Sequence, residues 1–156
     1  MDDRAILLVE DNPDDALLIR RALRKGGIPG RVEIARDGAE ALDQLFAAGD
    51  VPRLVLLDLK LPKVDGWEVL RRLRADSRTA DLPVVVFVSG REDHSSAEEV
   101  SAADVCINKG VDYEAFLRAV RKLRSLISEI GSLTPEERRA LAGFVLHEEI
   151  GADAAL

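Results

Sequence analysis

The sequence predicts an α/β fold, a doubly wound parallel sheet of five strands, and three observations carry that prediction. Short apolar runs recur along the chain with no polar residues alternating inside them. Segments with apolar residues at helical spacing separate those runs. The links between the two kinds of segment are short. Strands that are apolar at every residue are covered on both faces, as in a parallel sheet wrapped by helices. Regular strand–helix alternation is the pattern of consecutive βα units. At 156 residues, the chain holds one domain and a short extension.

The elements follow in order. Ala5-Ile6-Leu7-Leu8-Val9 is the first strand, and Asp14 to Lys25 reads as the first helix. Arg31 to Ala35 gives a second strand and Gly38 to Ala47 a second helix. Leu54-Val55-Leu56-Leu57 is the purest strand, followed by a helix from Trp67 to Ala75. Pro83 to Val88 is a fourth strand, with a weaker helix around Ser95 to Ser101. Asp104 to Asn108 is the fifth, and Tyr113 to Ile130 is a long fifth helix. Five strands favour the flavodoxin-like order 2-1-3-4-5. In the fifth helix Tyr113, Phe116, Val120, Leu123, Ile127 and Ile130 form a seam at alternating spacings of three and four. That seam suits a helix face packed on the sheet. Its part beyond about Leu123 also suits a contact with a second copy of the chain.

After Gly131 the tail changes character. Thr134-Pro135-Glu136-Glu137 is a helix start, with Thr as N-cap, Pro in the first turn and Glu three residues after the cap. It predicts an additional C-terminal helix to about Ile150, offering Leu141, Phe144 and Val145 for packing. The expected division is a domain over residues 1–126 and a helical extension over 127–156, too short for a separate effector domain.

Composition excludes several classes. Acids outnumber bases 29 to 22, a net charge of −7, which disfavours binding the phosphate backbone of nucleic acid. No run approaches the roughly 18 apolar residues of a membrane span. The start, Met1-Asp2-Asp3-Arg4, is acidic where a secretory signal is basic. A single cysteine excludes an internal disulfide and fits a reducing, cytoplasmic setting.

In open α/β sheets, sites form beyond the carboxyl ends of the strands. The first strand delivers Glu10 and Asp11, the third Asp58, the fourth Ser89 and the fifth Lys109. With strand 1 between 2 and 3, three carboxylates converge. Each pair at about 4 Å repels by roughly 4 kcal/mol at an effective dielectric near 20, so the set calls for a cation. All-oxygen ligation with few protein carboxylates suits Mg²⁺, which commonly coordinates a phosphate as well. The same acids repel a free phosphate, unlike a Gly-rich phosphate-binding turn. A phosphoryl group arriving beside Mg²⁺ on the Asp58 carboxylate meets the conditions.

These residues fall into a known arrangement. Val9-Glu10-Asp11-Asn12, Leu57-Asp58-Leu59-Lys60-Leu61-Pro62-Lys63-Val64-Asp65-Gly66, Val88-Ser89-Gly90 and Asn108-Lys109 stand in the order and spacing of one family. Over residues 4–126 the chain resembles the response-regulator receiver domain of two-component signalling. The resemblance implies that Asp58 is the phosphoacceptor, receiving its phosphoryl group from a histidine kinase or a phosphotransfer protein. It implies Mg²⁺ held by Asp11 and Asp58, by Glu10 through water, and by the backbone carbonyl of Lys60. Ser89 and Lys109 are then the groups that bind the phosphoryl oxygens. The Glu10-to-Asp15 opening and the Leu61-to-Gly66 loop look like those of small regulators paired with phytochrome-type kinases.

Two positions depart from the family. The aromatic usual three residues before the lysine is replaced by Cys106, so an aromatic rotamer switch cannot operate there. Cys106 itself reads most simply as a small buried hydrophobe. The proline usual after the lysine, in a cis peptide, is replaced by Gly110. A cis bond without proline costs about 2.5–4 kcal/mol. Among the remaining residues, Trp67 suits ordinary packing at a helix start, while His94 and His147 show no ligand spacing. Arg20, Arg21, Arg24 and Lys25 form either a solvated face or a docking face for an acidic partner.

The expectation is a single-domain regulator and not an enzyme beyond self-phosphorylation and autodephosphorylation. It signals by phosphorylation-dependent contacts or a homodimer through the fifth helix and the extension. Two alternatives stay open: a constitutive interaction module, and a metal-dependent phosphohydrolase. The second lacks an acid two residues after Asp58, where Lys60 stands.

Overall fold

The computed structural model describes residues 4–47, 51–59, 65–88, 103–108 and 113–132, together with Thr134, Glu136, Glu137, Phe144 and Val145. The elements are β1 (Ile6–Val9), α1 (Pro13–Lys25), β2 (Val32–Ala35), α2 (Gly38–Ala47), β3 (Leu54–Asp58) and α3 (Gly66–Ala75). They continue with β4 (Val84–Val88), β5 (Val105–Asn108), α4 (Tyr113–Ser132) and β6 (Phe144–Val145). The expected helix around Ser95 to Ser101 lies outside the described residues.

All strand pairs are parallel, in the order β2-β1-β3-β4-β5-β6. The first five strands therefore stand in the expected order 2-1-3-4-5. The continuous apolar runs are explained by two cores, one on each face of the sheet. Side chains alternate across a strand, so Ile6 and Leu8, with Leu54, Leu56, Val85 and Phe87, face α1 and α4. Leu7 and Val9, with Val55, Leu57, Val84 and Val86, face α2 and α3.

The helices take their limits from local chemistry. Asn12 caps α1: its Oδ1 accepts from the Asp14 N–H at 2.9 Å and the Asp15 N–H at 3.2 Å, with Pro13 at the first helical position. Ala16, Ile19, Ala22 and Leu23 face the sheet. Asp65 caps α3, accepting from the Trp67 N–H at 2.9 Å, and Trp67 packs against the second core as an ordinary helix-start residue. On α4 the described side chains of the seam, Tyr113 to Ile127, pack on the protein's own core. Phe116, Val120 and Leu123 are buried in the first core, and Tyr113 and Ile127 pack partly buried against it. Phe116 meets Phe87 with ring centroids 5.7 Å apart. No helix among the described residues is long and apolar enough to cross a membrane.

The tail requires a correction. The helix start at Thr134 stands as a reciprocal capping pair: Glu137 N–H donates to Thr134 Oγ1, and Thr134 N–H donates to Glu137 Oε1, both at 3.2 Å. A helix continuing to about Ile150 does not extend over Phe144 and Val145, which form β6 beside Val105 and Cys106. Leu141, Phe144 and Val145 fit a helical period, but the outer edge of β5 offers Phe144 and Val145 a ladder, and ladder pairing decides.

Candidate functional site

Strands β1 and β3 are direct neighbours, with Val9 paired to Leu57. The residues that follow, Glu10 after β1 and Asp58 at the last position of β3, therefore leave the sheet side by side. Glu10 N–H is anchored by the Ala35 carbonyl at 2.9 Å, and Asp58 pairs in register with Phe87 of β4. Glu10 and Asp58 are 2% and 3% exposed, whereas Asp11 is open to solvent. One carboxylate oxygen from each of Glu10, Asp11 and Asp58 lies within 4.8 Å of the others. Glu10 Oε1 also accepts from the Asn12 N–H at 3.3 Å, which ties the acid pair to the start of α1.

Three acids this close, two of them withdrawn from water, fit a divalent oxygen-seeking cation. Asp11, the exposed member, leaves one side open, which suits an ion that keeps several waters.

Gly66 shapes the other wall. A Cβ there would stand 2.6 Å from the Asp58 carbonyl oxygen and 2.6 Å from Leu59 Cα. The Gly66 N–H donates to the Leu59 carbonyl at 3.3 Å, and the Leu59 N–H to the Phe87 carbonyl at 3.3 Å. Only a residue without a side chain lets α3 begin so close to the backbone leaving Asp58. The operative reason for glycine here is close approach.

Of the residues expected at the site, the structure brings Glu10, Asp11 and Asp58 together. Lys60, Ser89 and Lys109 lie outside the described residues, as do Gly110, His94 and His147. Cys106 is 4% exposed, in the second core, paired with Val86 on one side and Val145 on the other. Arg20, Arg21, Arg24 and Lys25 are all exposed, and Lys25 Nζ sits 5.6 Å from the centre of the Tyr113 ring.

A cleft of about 800 Å³ opens from the acid cluster between α1 and β2, with Glu10, Asp11, Arg20, Ile34, Arg36 and Glu40 among its walls. Its arginines were not singled out as a group by the sequence. Arg20 and Arg36 come from separate elements, and no motif links them.

A parallel five-strand core with this acid cluster at the carboxyl ends defines a doubly wound protein with a candidate divalent-cation site. The family model for the response regulator receiver domain matches residues 6–121, and the chain belongs to that family. It is similar to the probable methanogenesis regulatory protein FilR2 of Methanothrix harundinacea, 41% identical over 124 residues, covering 76% of this chain and 80% of that protein. The response regulator Rcp1 of Synechocystis is 31% identical over 132 residues, covering 81% of this chain and 84% of Rcp1. The Mn²⁺-bound structure of Rcp1 superposes with a TM-score of 0.67, covering 84% of this chain and 97% of that one. The phosphorylated cyanobacterial phytochrome response regulator RcpA is 30% identical with a TM-score of 0.70, covering 86% and 99%. The chain is thus a receiver-domain response regulator of phosphorylation-based, two-component signalling.

Proposed function

We propose that this regulator accepts a phosphoryl group on Asp58 from a histidine kinase in a Mg²⁺-dependent reaction, and signals through contacts with other proteins. The observation that carries the reading is the convergence of the Glu10, Asp11 and Asp58 carboxylates within 4.8 Å at the carboxyl ends of β1 and β3. In the transfer, an Asp58 carboxylate oxygen forms a bond to phosphorus as the bond from phosphorus to the donor's imidazole nitrogen breaks. The imidazole leaves with that electron pair. Asp11 and Asp58 would hold the cation directly, Glu10 through water, and the Lys60 carbonyl would complete the protein's share. A bound Mg²⁺ supplies neutralisation of the acid cluster and of the incoming phosphoryl oxygens. By position in their motifs, Ser89 and Lys109 are assigned to the remaining phosphoryl oxygens.

Support comes from two relatives as well as the geometry: one is described with Mn²⁺ bound and the other in phosphorylated form. The likeness to the phytochrome response regulator supports a phytochrome-type kinase as the donor. The test is incubation with acetyl phosphate and Mg²⁺, followed by intact mass. The wild-type chain should gain one phosphoryl group, and both Asp58→Asn and removal of Mg²⁺ with chelator should abolish the gain. A wild-type chain that takes no adduct at saturating donor overturns the proposal.

A further inference from the structure

Strand β5 is paired on both sides, but unequally. Toward β4 it makes four rungs, from Val85 with Val105 to Val88 with Asn108. Toward β6 it makes two, Val105 with Phe144 and Cys106 with Val145. The other ladders inside the sheet each run four residues. Without β6, the outer N–H and C=O groups of β5 would be a free strand edge, a ready template for another strand. The residues that close it come from beyond the end of α4 at Ser132, across an eleven-residue connection, 133–143. With two rungs where the other ladders have four, β6 is the least firmly held strand of the sheet.

We propose that the outer edge of β5 is a strand-acceptor site and that Phe144–Val145 is its resident, displaceable occupant, an intramolecular cap that denies the edge to other strands. The ligand class is an extended apolar segment lying parallel to β5, recognised chiefly by backbone hydrogen bonds. The segment Gly143-Phe144-Val145-Leu146 is itself such a ligand, rich in strand-favouring residues. The location gives the cap a purpose. Cys106 is rung-paired with Val86, whose neighbour Phe87 is rung-paired with Asp58, so one strand, β4, separates the edge strand from the strand that carries Asp58. The inference stands on the sheet's pairing alone and does not require Asp58 to be phosphorylated.

Successive N–H groups in a strand point to opposite sides, so only one of the Phe144 and Val145 amides faces β5. Proline at that position removes a ladder bond, while proline at the other is tolerated as on any edge strand. The full-length variants Phe144→Pro and Val145→Pro are therefore compared with wild type for binding of a fluorescent peptide of residues 140–149, by anisotropy. A seat occupied nine-tenths of the time raises the apparent Kd about tenfold. One variant should thus bind the peptide about tenfold more tightly than wild type, the other like wild type. In the tighter binder, the amide of the Val105–Cys106 stretch that faces away from β4 should exchange faster with solvent and regain protection with peptide, while those of Leu54–Asp58 stay unchanged. Equal peptide affinity in all three proteins overturns the proposal, as does faster β5 exchange with no peptide binding. A wild-type chain that runs as a dimer with β6 exchanged between copies overturns the intramolecular assignment.

Discussion

Asp58→Asn should make the metal-free protein more stable while removing its response to Mg²⁺. The magnitude follows from the cluster. Two unit charges 4.8 Å apart, the limit set by the Glu10, Asp11 and Asp58 oxygens, repel by about 3.5 kcal/mol at an effective dielectric of 20 and by about 0.9 kcal/mol in bulk water. The Asp58–Glu10 pair is buried and takes the first figure, whereas the pair with solvent-exposed Asp11 takes the second. Neutralising Asp58 therefore relieves about 4.4 kcal/mol of repulsion. Hydrogen bonds to a charged acceptor, which the amide replaces only in part, offset about 1.5–3 kcal/mol of this. The net gain of about 1.5–3 kcal/mol corresponds to a rise in Tm of roughly 3–12 °C for a domain of this size. In wild type, Mg²⁺ at ten times its Kd should add about 1.4 kcal/mol by binding linkage, and in the variant almost nothing. Thermal unfolding followed by circular dichroism, with and without Mg²⁺, measures both. A metal-free variant with an unchanged or lower Tm, or one that Mg²⁺ still stabilises like wild type, would refute the electrostatic reasoning.

Gly66→Ala forces a Cβ against the Asp58 carbonyl and Leu59 Cα, so it should cost about 1–3 kcal/mol and slow phosphorylation from acetyl phosphate by ten-fold or more. Gly26→Ala places its Cβ 2.7 Å from Val120 Cγ1, far from the acids. It should lower Tm comparably and leave the phosphorylation rate unchanged; equal rates in the two variants would show that α3 does not shape the site. Arg74→Met should destabilise by about 3 kcal/mol in urea unfolding. It removes donors to the Ala80 and Leu82 carbonyls and to Asp104 Oδ2 at 3.0 Å, an oxygen that also accepts from the Val84 N–H. Glu68 is held below the usual carboxylate range by hydrogen bonds from Arg71 and then Arg72. Its contribution to stability is full above that usual range and is lost as pH falls through the lowered value. Glu68→Gln should thus show a small Tm deficit at pH 7 that disappears in acid, and a deficit that grows on acidification would refute the sign.

The fold was legible where burial on both faces leaves no choice. Runs such as Ile6–Val9 and Leu54–Asp58 are buried at every residue, and four or five residues without alternation are too few for a buried helix. The acids were legible because strand exits on neighbouring strands must converge. The tail was less so. Leu141, Phe144 and Val145 satisfy a helical period, and whether Phe144 and Val145 pair with β5 depends on an edge that no local pattern reports. The Gly66 contact was hidden for the same reason, because the clash it avoids is with backbone eight residues earlier. Ser89 and Lys109 rest on motif position, as both lie outside the described residues.

One consequence of the register concerns cooperativity. Val9 and Leu57 form the rung next to the acids, and β1 and β3 are interior strands of the sheet, each flanked on both sides. The electrostatic load of the site is thus carried by the ladder between two interior strands, whose amides belong to the part of such a fold that opens late. A local fluctuation cannot part Glu10 from Asp58 without breaking that ladder. The backbones that carry Glu10 and Asp58 stay side by side for as long as that ladder holds, so the buried pair of the site is lost with the sheet, and only Asp11, exposed beyond the end of β1, is left to the motion of the loop.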